Sequence, residues 1–131
     1  RYDGRDIRLQ MDRDAQPLEA TLELAAEVAR NLTELDATAK RVGVADLRET
    51  YNHGWNEYDE VEEDGSLKSV ANPQLSEAEF EARLSLTAVN VTGDLMIHFF
   101  YDDQGMFWGH AVVVYSGEGV DLAEAHAELF G

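Results

Sequence analysis

Cysteine does not occur in this sequence of 131 residues, which removes disulfide cross-links, thiolate metal sites and a thiol nucleophile together. Proline occurs twice, and no internal repeat or low-complexity tract is present. No apolar run approaches the roughly 20 residues that a bilayer demands, and no basic segment followed by an apolar one opens the chain, so no membrane role is expected. Positive charge is scarce: 10 Lys and Arg stand against 27 Asp and Glu, a net charge of −17. Such a field repels phosphate backbones and anionic headgroups, which argues against nucleic acid and for a basic protein as partner. The missing thiols and export signal fit a cytoplasmic location, an expectation for these residues alone because the chain opens on Arg1 rather than Met.

A hydrophobic content of 44% suffices for one continuous core, and residues 1–131 are read as a single domain. The charge is uneven. No Lys or Arg follows Arg83, while Asp94, Asp102, Asp103, Glu118, Asp121, Glu124 and Glu128 lie beyond it. A second acidic block comprises Glu57, Asp59, Glu60, Glu62, Glu63 and Asp64. It reads as a solvated loop or as a dock for a basic partner.

Arg5 to Asp12 alternates, with Ile7, Leu9 and Met11 on one side, the period of a half-buried strand. Asp14 to Pro17 breaks it, and Pro17 suits the first turn of a helix. Leu18, Leu22, Ala25, Ala29 and Leu32 then step by three and four, predicting one long helix to about Lys40 or Arg41. Gly43 marks its end or a bend, and a short helical piece follows from Ala45 to about Tyr51. Asn52 to Pro73 reads as a long connection holding one short strand at most. Ser76 with Glu79 forms a capping box and Leu75 with Phe80 a hydrophobic staple, starting a helix over Glu77 to Leu84.

The rest is β-rich. Strands are predicted over Leu84–Val91 and Leu95–Tyr101, joined by the turn Thr92-Gly93-Asp94. After the turn Asp102–Gly105, Met106–Tyr115 is a central strand apolar on both faces, and the tail from Val120 to Phe130 fits neither period cleanly, reading as an edge strand in preference to a closing helix. The expected fold is therefore α+β: a mostly antiparallel four- to five-stranded sheet with one long N-terminal helix packed on it and a short second helix.

Chemistry is thinly signposted. No serine stands in a Gly-x-Ser-x-Gly elbow and no phosphate-cradling Gly loop with Lys is present, so neither acyl transfer nor nucleotide chemistry has support and no cofactor is expected. His98 and His110 flank the Asp102–Gly105 turn, and with Asp102 or Asp103 they would make a two-His, one-carboxylate metal site. A four-residue turn, however, sends the two imidazoles to opposite faces. His53-Gly54-Trp55-Asn56-Glu57 gathers an imidazole, an indole and a carboxylate in a Gly-containing loop. In Phe107-Trp108-Gly109-His110, a glycine inside an aromatic strand predicts that another group packs over Gly109.

Leu75-Ser-Glu-Ala-Glu-Phe80, Arg83-Leu-Ser-Leu86, Phe99-Phe-Tyr-Asp-Asp103 and Gly105-Met-Phe-Trp-Gly-His-Ala-Val-Val113 together resemble a family of small uncharacterised bacterial domains. The resemblance implies a bacterial α+β domain with an acidic-turn/Phe-Trp-Gly-His hairpin, and carries no catalytic residues. Similar acidic domains occur among immunity proteins that neutralise bacterial toxins. The leading reading is thus a non-enzymatic, immunity-like partner of a basic protein, monomer or homodimer, binding through Trp55, Glu57, Asp59, Glu60, Asp102, Asp103, Trp108 and His110. The alternative is a metal-assisted or acid/base enzyme using His98, His110 and Asp102 or Asp103, with His53 from the loop. A third reading makes the chain an accessory domain of a longer protein.

Overall fold

A computed structural model describes Gly4 and residues 6–11, 18–92 and 96–131. The predicted breaks at Asp14–Pro17 and Gly93–Asp94 lie outside the described residues. The elements run β1 (Arg8–Met11), α1 (Leu18–Arg30), α2 (Leu32–Thr50), an irregular helical turn (Tyr51–Trp55), β2 (Glu57–Val61), β3 (Leu67–Ala71), α3 (Glu77–Ala82), β4 (Ser85–Val91), β5 (Ile97–Asp102), β6 (Ala111–Ser116) and β7 (His126–Phe130).

The fold is α+β, but its main sheet is mixed rather than mostly antiparallel. Five strands stand in the order β1-β4-β5-β6-β7, and β1 pairs in parallel with β4, Arg8 opposite Ala88 through Met11 opposite Val91. That Arg8–Met11 is a strand was legible; its exposure on both sides, with Leu9 and Met11 at 43% and 42% rather than half-buried, and its direction were not. Direction follows from the connection, and a segment holding three helices is long enough to return the chain parallel to where it began. β5 and β6 take the central places and β7 the edge, as expected, and the β7 amide of Ala127 donates to Asp46 Oδ2 of α2 at 2.8 Å.

The predicted long helix is two. At Asn31 (φ −114°, ψ 21°) the backbone leaves helical geometry, and the Asn31 side-chain amide donates to the Glu27 carbonyl at 2.9 Å. A side chain competing for a backbone acceptor is the reason that asparagine interrupts helices. The buried face of α1 is Thr21, Leu24, Ala25 and Val28, one step from the predicted stripe, leaving Leu22 at 48% exposure. In turn α2 runs unbroken through Gly43, which therefore stops nothing. A Cβ there would lie 3.3 Å from Leu84 Cδ1 and 4.0 Å from Val112 Cγ1; the glycine lets the helix settle close on the sheet.

Leu35, Ala39, Val44 and Leu47 of α2 pack on Leu86, Val89, Val91, Phe99, Tyr101, Val112 and Val114 of the sheet, all buried. Tyr101 donates its hydroxyl to Asp36 Oδ1 at 2.7 Å, and Lys40 Nζ stands 3.5 Å from Asp36 Oδ2. The buried carboxylate thus ties α2 to β5 with both oxygens engaged. The capping box is present as predicted: Ser76 Oγ accepts from Glu79 N–H, and Glu79 Oε1 from Ser76 N–H. The long connection is instead a second, two-stranded sheet, in which Glu57, Asp59 and Val61 oppose Ala71, Ser69 and Leu67.

Candidate functional site

Met106 to Gly109 do not form strand; β6 begins only at Ala111. Apolar and aromatic residues made this stretch look extended, yet its backbone coils through successive turns. Met106, Trp108 and His110 N–H donate to the carbonyls of Asp103, Gly105 and Phe107. Asp103, 4% exposed, holds the coil from inside: its Oδ1 accepts from Gly105 N–H at 3.0 Å and its Oδ2 from Phe107 N–H at 3.1 Å. A Cβ on Gly109 would meet nothing within 4 Å, contrary to the expectation that another group packs over it. Gly109 serves its own φ of +92°, a left-handed conformation that glycine adopts without steric cost.

Trp108 shares that left-handed region at φ 53°, where a bulky side chain is strained. Its indole is 58% exposed. One face meets Trp55 at a ring-centroid distance of 5.0 Å, and Trp55 in turn contacts His110 at 5.5 Å and Phe107 at 5.4 Å. His110 Nδ1 donates to the Phe107 carbonyl at 2.9 Å. Phe107 is fully buried and also meets Tyr51 and Phe80 edge-on at 5.8 and 6.2 Å. An unbroken aromatic stack therefore leads from the core to the exposed indole.

Trp108 forms one wall of a groove of about 610 Å³ whose other walls are Glu57, Tyr58, Asp59, Ser69, Val70 and Ala71 of the β2–β3 hairpin. Ser69 Oγ donates to Asp59 Oδ1 at 3.1 Å. By the ladder register, Glu57 and Asp59 share one face of the hairpin, while Glu60 lies on the other with Tyr58, whose hydroxyl it accepts at 3.3 Å. An indole face beside two carboxylates is chemically suited to a cation. Of the residues singled out from sequence, Trp55, Glu57, Asp59, Trp108 and His110 are gathered here. Asp102 is exposed at the end of β5, and Asp103 is spent on the loop backbone. Tyr58 and Ser69 were missed; the alternation of Tyr58, Glu60 against Glu57, Asp59 was their signal, hidden by acidic residues on both sides of the strand.

His98 lies elsewhere, on the sheet face turned from the core, opposite Asn90 and Tyr115, with the Tyr115 ring at 4.7 Å. His110 precedes Tyr115 by five positions, roughly 17 Å along an extended chain, and turns toward Trp55. Among the described residues no group of three or more His, Asp or Glu is placed to hold a metal. His53 is exposed, its Nε2 3.4 Å from Glu49 Oε2. His98 has a structural consequence instead. Its Nε2 is buried without a hydrogen-bond partner, and burial holds the imidazole below its ordinary 6.5. The unfolded chain then takes up a proton that the folded one resists. Above pH 6.5 this group is silent; as pH falls through the window just below 6.5 it removes stability, levelling off under the folded value. Urea midpoints between about pH 5 and 7 should fall on acidification less steeply in His98→Gln than in the parent. Equal slopes would sink this assignment.

The fold and groove define a small, strongly acidic α+β protein with a surface groove walled by an indole and carboxylates. Residues 2–126 match the family model described as an uncharacterized protein conserved in bacteria (DUF2262), and the chain belongs to that family. No curated protein and no solved structure matches it. No helix among the described residues is long and apolar enough to cross a membrane.

Proposed function

We propose that this protein is a non-enzymatic binding module that engages a basic protein by seating a cationic side chain in the groove between Trp108 and the β2–β3 hairpin. The observation that carries this reading is Trp108 itself, a large indole held at positive φ yet 58% exposed. Core packing does not account for a bulky side chain kept strained at a surface, whereas presenting an aromatic face to a partner does. Glu57 and Asp59 supply opposite charge across the groove, and the net charge of −17 draws cationic partners from a distance. Arginine fits best, since its planar guanidinium both stacks on indole and forks to carboxylates. A basic toxin is one partner that this acidic surface would suit, the role of an immunity protein.

Energies set the scale of the test. A cation over an exposed ring contributes about 0.5–1 kcal/mol and each exposed ion pair roughly 0.2–1 kcal/mol, so one arginine binds weakly and sensitivity to salt is large. Titration of the intact protein with a tetra-arginine peptide should perturb the Trp108 indole N–H resonance and weaken steeply with added salt. Trp108→Ala should reduce affinity about twofold to fivefold with little loss of stability, because the side chain is more than half exposed and alanine, which keeps a Cβ, leaves the left-handed strain as it was. Parent-like binding by Trp108→Ala would sink the proposal.

A further inference from the structure

The hairpin face that carries Glu57 and Asp59 continues past the groove. Counting along the ladder from the base, one face carries Glu57 with Ala71, then Asp59 with Ser69, then Val61 with Leu67. Val61 and Leu67 are 74% and 65% exposed, large apolar side chains that their own cross-strand contact leaves uncovered. Successive rows on one strand face stand about 6.8 Å apart. The groove that Trp108 walls takes Tyr58 and Val70 from the opposite face as well as Glu57 and Asp59 from this one, and this face reads acid, acid, apolar from base to tip.

We infer that this face recognises an extended segment of a basic protein in which two cationic residues and one apolar residue alternate with spacer positions, Arg-x-Arg-x-Leu or its reverse. The inference rests on the proposed cation groove and extends it. An extended peptide also repeats about every 6.8 Å on one side, so side chains two apart fall opposite successive hairpin rows. The two guanidinium groups meet Glu57 and Asp59 with Trp108 beside them, and the leucine covers Val61 and Leu67. A second copy of the chain does not fit the same face, because it would set Glu57 and Asp59 of one molecule against those of the other. Charge complementarity selects the basic segment.

The test uses the intact protein and capped synthetic peptides. Arg-Ser-Arg-Ser-Leu and its reverse, Leu-Ser-Arg-Ser-Arg, are compared with Arg-Ser-Arg-Leu-Ser, which has the same composition but turns its leucine to the opposite side. The better of the two in-register peptides should bind about fivefold to tenfold more tightly than the shifted one, and it should move the Leu67 methyl resonances as well as the Trp108 indole. Leu67→Ser, an exposed position whose replacement leaves the core untouched, should erase that preference without changing the affinity of the shifted peptide. Equal binding of all three peptides to the parent, with the Trp108 indole perturbed and Leu67 unmoved, overturns the patterned recognition and leaves the cation groove standing. If no peptide perturbs Trp108, the groove reading itself fails and this inference goes with it.

Discussion

Phe107→Ala should lower the unfolding free energy by about 3–5 kcal/mol, the range for emptying a buried phenylalanine site, and should weaken cation binding in the groove about as far as Trp108→Ala does. Phe107 is fully buried, and its ring touches Tyr51, Trp55 and Phe80. Those three partners come from the helical turn after α2 and from α3, so the cavity left by alanine opens between elements and not within one. Trp55 would lose the ring that it packs against on its inner side, and with it the fixed platform under Trp108. The check is a urea melt of parent and variant followed by far-ultraviolet circular dichroism, with tetra-arginine titration under conditions where both are folded. A loss under about 1 kcal/mol would mean that the site collapses around the smaller side chain. Retained binding would separate the groove from the core stack.

Asp103→Ala should cost about 2–4 kcal/mol, because a hydrogen bond to a charged group contributes roughly 1.5–3 kcal/mol and the buried Phe107 amide is left unpaired, while the Gly105 amide, on an exposed residue, can turn to water. Its Oδ1 and Oδ2 accept from Gly105 and Phe107 N–H, so the change releases two donors at the start of the coil that presents Trp108. Asp103→Asn keeps a single amide oxygen and should fall between parent and alanine. Urea midpoints give the order, and the resonances of Gly105 and Phe107 amides report whether the loop has opened. Should Asp103→Ala unfold at the parent's midpoint, the carboxylate does not hold the loop.

What the sequence disclosed divides along physical lines. The Ser76–Glu79 capping box was legible because every atom in it lies within one turn, and it is present. The existence of strand β1 was legible too, but its exposed edge position contradicts the half-buried reading, and its parallel pairing with β4 depends on a connection that no local pattern encodes. Gly43 was misread because the same residue serves to end helices and to admit a neighbour, and only Leu84 and Val112, distant in sequence, decide between them. Met106 to Gly109 read as strand because their side chains are apolar and aromatic; the deciding features are Asp103's reach to Phe107 N–H and the positive φ of Trp108. The candidate site was half legible. Trp55 and Trp108 each stood out by composition, yet they are 53 positions apart, and their contact at 5.0 Å is a product of packing that spacing does not announce.

No residue between Glu57 and Ala71 belongs to the hydrophobic core cluster, whose nearest members along the chain are Tyr51 and Leu75. Substitutions on the hairpin are therefore close to neutral for folding, within about 0.5 kcal/mol as for other surface sites away from caps and networks. Selection can act on its side chains without first compensating the scaffold. Under the proposed binding role, one core can then carry different recognition faces on a single exposed ribbon, with the scaffold beneath it unchanged.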